Sequence, residues 1–165
     1  MTVSRVALPA KGLVAHVILT AEVEQMSLGE PKAVIHFAQD DLFVGVTPSN
    51  YALTIDTDHE RAIAPSPMEL LLVALGSCTA VDVISILKKK REQVSAYRIE
   101  VRGERRSDHP RSYKRMEVHH VVTGRGVSEK AVSQAIELSE TKYCSVAATL
   151  RPTAEIVSTF EIIEA

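Results

Sequence analysis

The sequence predicts an α+β protein with mainly antiparallel sheet around one long, buried central helix. Short segments with a period of two residues occur in one group before a long apolar segment and in a second group after it. Strands and helices that occur in separate runs are typical of α+β folds. The 165 residues are 45% hydrophobic and 24% charged, which is enough apolar material for the core of one domain.

The central helix is predicted over about residues 67–91. Pro67 suits the first helical position, Glu69 places a negative charge in the first turn, and the basic cluster Lys88–Arg91 suits the carboxyl end of the helix dipole. Asp82 is the only charged residue in the body of this helix. A helix that is apolar almost all the way round must be covered on most sides.

Composition excludes several functional classes. The formal net charge of -2 does not favour binding to nucleic acid or to an anionic membrane surface. Two cysteines are too few for a disulfide framework, so we expect a cytoplasmic protein. The apolar run 13–21 is interrupted by His16 and alternates in polarity, which favours a strand over a signal peptide.

The remaining elements follow from periodicity and turn residues. Strands are predicted over 13–23, 33–37, 42–47 and 51–55 before the helix, and over 97–104, 113–122 and 154–162 after it. Ser128 is predicted to cap a second helix, and Thr141 to cap a short third helix with Cys144 in its first turn. Because so few elements cannot cover the central helix, we predict a homodimer in which two such helices pack together.

Cys78 lies near the middle of the central helix, and Cys144 is the other cysteine of the chain. One hypothesis is a reactive pair, in which one thiolate attacks a substrate and the other forms a disulfide with the product. The alternative is two unrelated structural cysteines, because free cysteine often behaves as a small buried apolar residue. The residues alone leave both interpretations open.

Helical spacing indicates which side chains lie beside Cys78. Asp82 lies one turn beyond it on the same face, and a carboxylate near a thiol raises the pKa of that thiol. Glu69 lies nine positions earlier and faces away in a straight helix, so it can equally be a first-turn residue that interacts with the dipole. A position near the start of a helix would favour the thiolate of Cys144.

Other candidate sites are weak. His119 and His120 are adjacent on a predicted strand, so their side chains point to opposite faces and cannot share one metal ion. The sequence contains no HxxxH or CxxC spacing, so no metal site is predicted. The segment 124–126 has two glycines but lacks the residues of a phosphate-binding loop.

Three stretches resemble the osmotically inducible protein C and organic hydroperoxide resistance (OsmC/Ohr) family, and most of all its YhfA-like branch. They are SPMELLLVALGSCTAVDV around Cys78, ERRSDHPRSYKRMEVHHVVTGRGV, and SETKYCSVA around Cys144. The resemblance covers about residues 33–165. Residues 1–165 are therefore predicted to be a single OsmC-like domain in which residues 1–31 form an N-terminal extension.

The resemblance implies an intertwined homodimer with two active sites at its interface, and thiol-dependent reduction of organic hydroperoxides. It implies that Cys78 is the peroxidatic cysteine, that Cys144 is the resolving cysteine, and that Glu69 belongs to the catalytic site. The implied partners are a small-molecule hydroperoxide and an external dithiol reductant, similar to dihydrolipoamide; no metal or prosthetic group is implied. The alternative class is a non-catalytic dimer that binds an apolar small molecule at its interface.

Two positions depart from the peroxidases of this family. Those enzymes have an acidic residue directly after the proline, where this chain has Met68 and places the acid one position later, at Glu69. They also supply an activating arginine from the N-terminal sheet, where this chain offers only Arg5 and Arg61. The cysteine pair is therefore intact, whereas the group that stabilises the thiolate is not identified.

Overall fold

The computed structural model describes residues 32–165, so the strand predicted over 13–23 lies outside the described residues. The chain divides into two compact units after Ser66. The first contains a three-stranded sheet, and the second contains a long helix, shorter helices and another three-stranded sheet. The predicted α+β class and the long central helix are confirmed.

The sheet of the first unit is antiparallel and runs in the order β1 (Val34–Gln39), β2 (Leu42–Val46) and β3 (Ala52–Asp56). Residues that pair across neighbouring strands share a face of the sheet. One face therefore carries Ile35, Phe37, Phe43, Leu53 and Ile55. Ile35 and Phe37 are 58% and 64% exposed, so the described part of this unit leaves an apolar face uncovered.

A buried ion pair holds the loop that follows β3. The side chain of Asp56 is fully buried, and its carboxylate accepts hydrogen bonds from Nε of Arg61 at 3.1 Å and from the terminal nitrogen Nη2 of that residue at 2.7 Å. The backbone N–H groups of Asp58 and Ile63 also donate to this carboxylate. The Arg61 guanidinium, more than the other groups, holds the pKa of Asp56 well below its usual range.

The second unit contains the longest helix and strands of the described chain. Its elements are α1 (Pro67–Lys89), β4 (Gln93–Arg105), β5 (Tyr113–Arg125), α2 (Glu129–Leu138), a π-helical turn (Ser139–Tyr143), α3 (Ser145–Leu150) and β6 (Glu155–Glu164). Strands β4 and β5 form an antiparallel hairpin, but β6 runs parallel to β5. This sheet is therefore mixed, because the helical segment between β5 and β6 is long enough for a crossover connection.

Two predicted helix boundaries are wrong. Helix α1 ends at Lys89 and not at Arg91, because Arg91 has a φ of +63° and this left-handed conformation ends the helix. Thr141 does not cap α3; it lies inside the π-helical turn, where its hydroxyl donates to the Glu137 carbonyl. Cys144, which was predicted to lie in the first turn of α3, is instead the N-cap residue of that helix.

Helix α1 is buried along one face only in the described structure. Leu75, Val83 and Leu87 are completely buried among residues of the sheet and of the shorter helices. Val73 and Val81, two turns apart, are 63% and 70% exposed. The expected cover on most sides is therefore not present within the described chain, and the homodimer stays a prediction. The helix also has the length and apolar composition of a membrane span, a property that core helices share.

The two adjacent histidines point to opposite faces of β5, as predicted. His119 is partly exposed and its Nδ1 lies 2.8 Å from the Thr159 hydroxyl, whereas His120 is completely buried. Nδ1 of His120 lies 2.6 Å from the Tyr97 hydroxyl, and its Nε2 has no hydrogen-bond partner among the described residues. Burial lowers the pKa of His120 from 6.5 to about 4.

We expect His120 to make the fold sensitive to acid. The unfolded chain binds a proton at His120 below pH 6.5, whereas the folded chain binds it only below about 4. The free energy of unfolding should therefore fall by up to about 3 kcal/mol as the pH drops through this interval. The free energy of unfolding, measured with urea across this pH interval, should decrease with falling pH in the wild type. It should decrease less in His120→Gln. His59→Gln, at an exposed position of the loop after β3, should keep the pH dependence of the wild type. A His120→Gln variant with the wild-type pH dependence would contradict the assignment.

Candidate functional site

The structure brings the two cysteines and one carboxylate together in the second unit. The Sγ atoms of Cys78 and Cys144 and a carboxylate oxygen of Asp82 all lie within 4.8 Å of one another. Both cysteines are free thiols. A disulfide needs two sulfurs about 2.0 Å apart, so a small movement of either side chain would allow the pair to form one.

The π-helical turn after α2 positions Cys144. The backbone N–H of Cys144 donates to the Ser139 carbonyl at 2.8 Å, and Cys144 itself adopts an extended conformation between the two helices. Ser139 is completely buried, and its hydroxyl donates to Oδ2 of Asp82 at 3.0 Å. This hydrogen bond connects the turn to α1 one helical turn from Cys78.

Cys144 is almost completely buried, with 3% of its surface exposed. Its sulfur accepts a hydrogen bond from the backbone N–H of Ala147 at 3.3 Å. The hydroxyl of Thr79 lies 3.5 Å from the same sulfur and 3.0 Å from the Leu75 carbonyl, to which it can also donate. Cys144 is therefore shielded from solvent and held by groups from both α3 and α1.

Cys78 is only partly buried, and its surroundings favour the protonated thiol. Burial raises the pKa of Cys78 above its usual value, and the neighbouring Cys144 and the charge of Asp82 raise it further. The backbone N–H of Val146 acts in the opposite direction. The expected effect of Asp82 is confirmed, and no cation among the described residues contributes to the pKa of this thiol.

Glu69 lies apart from the cysteines. It is exposed in the first turn of α1 and lies nine positions before Cys78, which is about 13 Å along the axis. Its charge acts on Tyr113, where it raises the pKa, and Arg105 has the opposite effect. Glu69 is not among the groups that shift the pKa of Cys78, so its catalytic role stays a prediction.

Neither of the two arginines considered from sequence belongs to the described second unit. Arg5 lies outside the described residues. Arg61 belongs to the first unit, where its guanidinium is engaged by the buried carboxylate of Asp56. The described residues therefore supply a cysteine pair with a carboxylate beside it and no activating cation.

A cavity of about 300 Å³ opens near this site within the second unit. Met68, Leu71 and Leu150 line it, and these three residues also pack against the core cluster that includes both cysteines. Arg105 and Arg111 add positive charge to its lining. The cavity is therefore amphipathic, and neither cysteine is among the residues that line it.

Sequence reasoning missed the residues that hold the site together. Thr79 contacts Cys144 across 65 positions of sequence, and Ser139 contacts Asp82 across 57 positions. Small hydroxyl residues in helical segments give no periodic or spacing signal for such contacts. The only available signal was that Thr79 and Asp82 share a helix with Cys78.

The fold and the site define the class of this protein. It is an α+β protein in which a long helix packs on a sheet and carries one cysteine, and the N-cap residue of a later helix places a second cysteine beside the first. Residues 56–159 match the family model described as OsmC-like protein. The chain is 37% identical over 134 residues to Protein YhfA of Escherichia coli strain K12, which is 81% of this chain and 99% of that protein. The chain therefore belongs to the OsmC-like protein family, and the resemblance seen in the sequence is confirmed.

Two solved structures support this assignment at the level of the fold. A hypothetical protein from Aquifex aeolicus VF5 is 35% identical, with a TM-score of 0.74 over 82% of this chain and 98% of its own. An organic hydroperoxide resistance protein OsmC from Legionella pneumophila has a TM-score of 0.62 over 82% of this chain and 98% of its own. Because the second is only 11% identical, its likeness shows the shared fold alone.

We expect removal of the Asp82 charge to make Cys78 more reactive. Asp82→Asn keeps the shape of the side chain but removes a charge that raises the pKa of Cys78, so the thiolate should form at lower pH. The rate of iodoacetamide alkylation, measured across pH, should rise several-fold near neutrality in this variant. Asp108→Asn in the exposed β4–β5 turn is the matched control and should react like the wild type. An unchanged pH profile for Asp82→Asn would show that the carboxylate does not act on the thiol.

Proposed function

We propose that this protein is a thiol-dependent peroxidase that reduces organic hydroperoxides through Cys78 and Cys144. The observation that carries the proposal is the approach of these two free sulfurs to within 4.8 Å of each other, from positions far apart in the sequence. The unequal exposure of the two supports their separate roles. Cys78 is partly accessible to a substrate, whereas Cys144 is buried behind it.

In the first step the Cys78 thiolate attacks the terminal oxygen of the hydroperoxide. A sulfur–oxygen bond forms as the oxygen–oxygen bond breaks, and the leaving alkoxide takes up a proton to become an alcohol. The sulfur is oxidised by two electrons to a sulfenic acid, and the peroxide is reduced by the same two electrons. The raised pKa of Cys78 requires that this step accelerate as the pH rises.

In the second step the sulfur of Cys144 attacks the sulfenic sulfur of Cys78. A disulfide forms, and the sulfenic oxygen leaves as water after it is protonated. An external dithiol, similar to dihydrolipoamide, then reduces the disulfide through a mixed disulfide and is itself oxidised to a cyclic disulfide. The cycle uses no metal or prosthetic group, and it suits the reducing cytoplasm in which we propose the protein acts.

The surroundings of Cys78 give the proposed enzyme a modest rate. A thiolate needs a compensating positive charge or several donors, and among the described residues only the Val146 N–H favours it. Glu69 keeps its proposed role as the acidic residue that orients an activating cation, as in related peroxidases. In the proposed homodimer that cation comes from the partner chain.

The proposal of a homodimer rests on two uncovered apolar faces. One is the side of α1 that carries Val73 and Val81, and the other is the side of the first sheet that carries Ile35 and Phe37. Contiguous apolar surface of this kind is typical of a subunit interface. A second copy of the chain covers both faces and completes the surroundings of the cysteines.

The dimer can be tested with a charge on the exposed face of α1. Val81→Asp places a carboxylate where the proposed interface is apolar, so the variant should dissociate at concentrations where the wild type is dimeric. Light scattering after size-exclusion chromatography reports the mass of each species. Ser95→Asp, a charge on an exposed position of β4, should leave the mass unchanged. A monomeric wild type, or a Val81→Asp variant that stays dimeric, would contradict the proposed interface.

The peroxidase is tested by turnover of an alkyl hydroperoxide with several dithiols and with a monothiol. Wild-type protein should consume peroxide with a dithiol, at a rate that rises with pH. Cys78→Ser should lose turnover entirely, because no other described residue provides the attacking thiolate. Cys144→Ser should form a sulfenic acid that a dimedone probe traps, and should form no intramolecular disulfide. Ser95→Ala, which keeps both cysteines and lies at an exposed position of β4, is the matched control. Turnover that persists in Cys78→Ser would disprove the proposal.

One observation favours a second function, a non-catalytic dimer that binds an apolar small molecule. The amphipathic cavity is large enough for a small ligand, and the raised pKa of Cys78 suits a thiol that takes no part in catalysis. This function predicts no turnover with any dithiol, a Cys78 that resists alkylation below pH 8, and ligand binding that is unchanged in Cys78→Ser. The same set of variants therefore distinguishes the two functions.

A further inference from the structure

We propose that Cys78, Cys144 and Asp82 form a binding site for one thiophilic divalent cation, with the coordination chemistry of Zn²⁺. Their ligand atoms all lie within 4.8 Å of one another. Around a tetrahedral Zn²⁺, with bonds of about 2.3 Å to sulfur and about 2.0 Å to oxygen, such atoms lie roughly 3.5–3.8 Å apart. The observed cluster therefore needs only a small contraction to bind the ion.

The donor set determines which cation is expected. Two thiolates select soft or borderline ions such as Zn²⁺, and they bind Mg²⁺ and Ca²⁺ poorly because those ions prefer oxygen. Three protein ligands leave the fourth tetrahedral position for water or a small molecule. The site is therefore an open, three-ligand site and not the closed four-ligand site of a structural zinc.

The ligands are already oriented by neighbouring groups. The Ser139 hydroxyl donates to Oδ2 of Asp82 at 3.0 Å, which leaves Oδ1 of that carboxylate to bind the cation. The N–H of Ala147 donates to the sulfur of Cys144 at 3.3 Å. Hydrogen bonds of this kind fix the orientation of metal ligands and raise the affinity of a site.

Charge also favours the cation. Two thiolates and one carboxylate carry three negative charges when they bind a metal, and none of the cationic side chains between residues 32 and 165 forms an ion pair with Asp82. A divalent cation compensates most of this charge, whereas a lone thiolate beside Asp82 would be repelled. The carboxylate that opposes a free thiolate is thus a favourable ligand for a metal-bound pair.

Sequence spacing could not identify this site. Cys78 and Asp82 share one helical face, but the third ligand comes from a distant segment that only the π-helical turn brings into contact.

If the proposed peroxidase function holds, the cation occupies both sulfurs. It then blocks attack on the peroxide until it is removed, so the ion acts as a reversible inhibitor of the dithiol site.

The test is a titration of reduced, metal-free, full-length protein with Co²⁺ in the absence of oxygen. We expect sulfur-to-cobalt charge-transfer bands and the visible bands of tetrahedral Co²⁺ to saturate at one ion per chain, and Zn²⁺ to displace the cobalt. Cys78→Ser and Cys144→Ser should lose the charge-transfer bands of the two-sulfur site. Asp82→Asn should bind at least about tenfold more weakly, and Asp82→Glu should recover part of that loss.

Ser77→Ala and Asp108→Asn are the matched controls, since neither residue belongs to the cluster, and thermal unfolding verifies that each variant is folded.

The inference is overturned if reduced wild-type protein gives no charge-transfer band. It is also overturned if Asp82→Asn binds as tightly as the wild type, because the site would then be a bare dithiol. Metal binding is measured apart from turnover, so a protein that binds Co²⁺ without peroxidase activity refutes only the proposed function. A peroxidase that binds no metal refutes only this inference.

Discussion

The hydrogen bond between Ser139 and Asp82 joins the two parts of the chain on which the site depends. Ser139 is completely buried at the start of the π-helical turn, and Asp82 is the one charged residue in the body of α1. Because an unpartnered carboxylate is costly to bury, this contact fixes the turn against the helix. This turn also sets the position of Cys144 beside Cys78, so the dithiol site depends on the hydrogen bond of one partly buried carboxylate.

The same carboxylate limits the chemistry of the site. Asp82 lies within 4.8 Å of both sulfurs, and its charge adds to burial in raising the pKa of Cys78. A peroxidase in which a cation activates the thiol needs the opposite electrostatic environment. The described residues therefore suit a protonated or metal-bound pair better than a free thiolate, and an activating charge has to enter from elsewhere before Cys78 can react quickly.

The uncovered apolar faces impose a second constraint. Leu75, Val83 and Leu87 bury one side of α1, whereas Val73 and Val81 leave the other side exposed. The first sheet likewise lacks a layer over Ile35 and Phe37 within the described part of its unit. Burial of apolar surface is favourable, and these two exposed faces are the observation on which the proposed homodimer rests.

The sequence by itself determined the α+β class, the central helix, the strands from residue 33 onwards and the family, because periodicity and local motifs carry that information. It also showed that Asp82 shares a face with Cys78, since helical spacing is local. The parallel strand β6, the π-helical turn, the capping role of Cys144 and the partners Thr79 and Ser139 depended on contacts between distant segments. Only the tertiary structure decided them. The direction of β6 depends on its pairing with β5 after a long crossover, and the other features depend on polar groups or sulfurs whose distant partners no local pattern specifies.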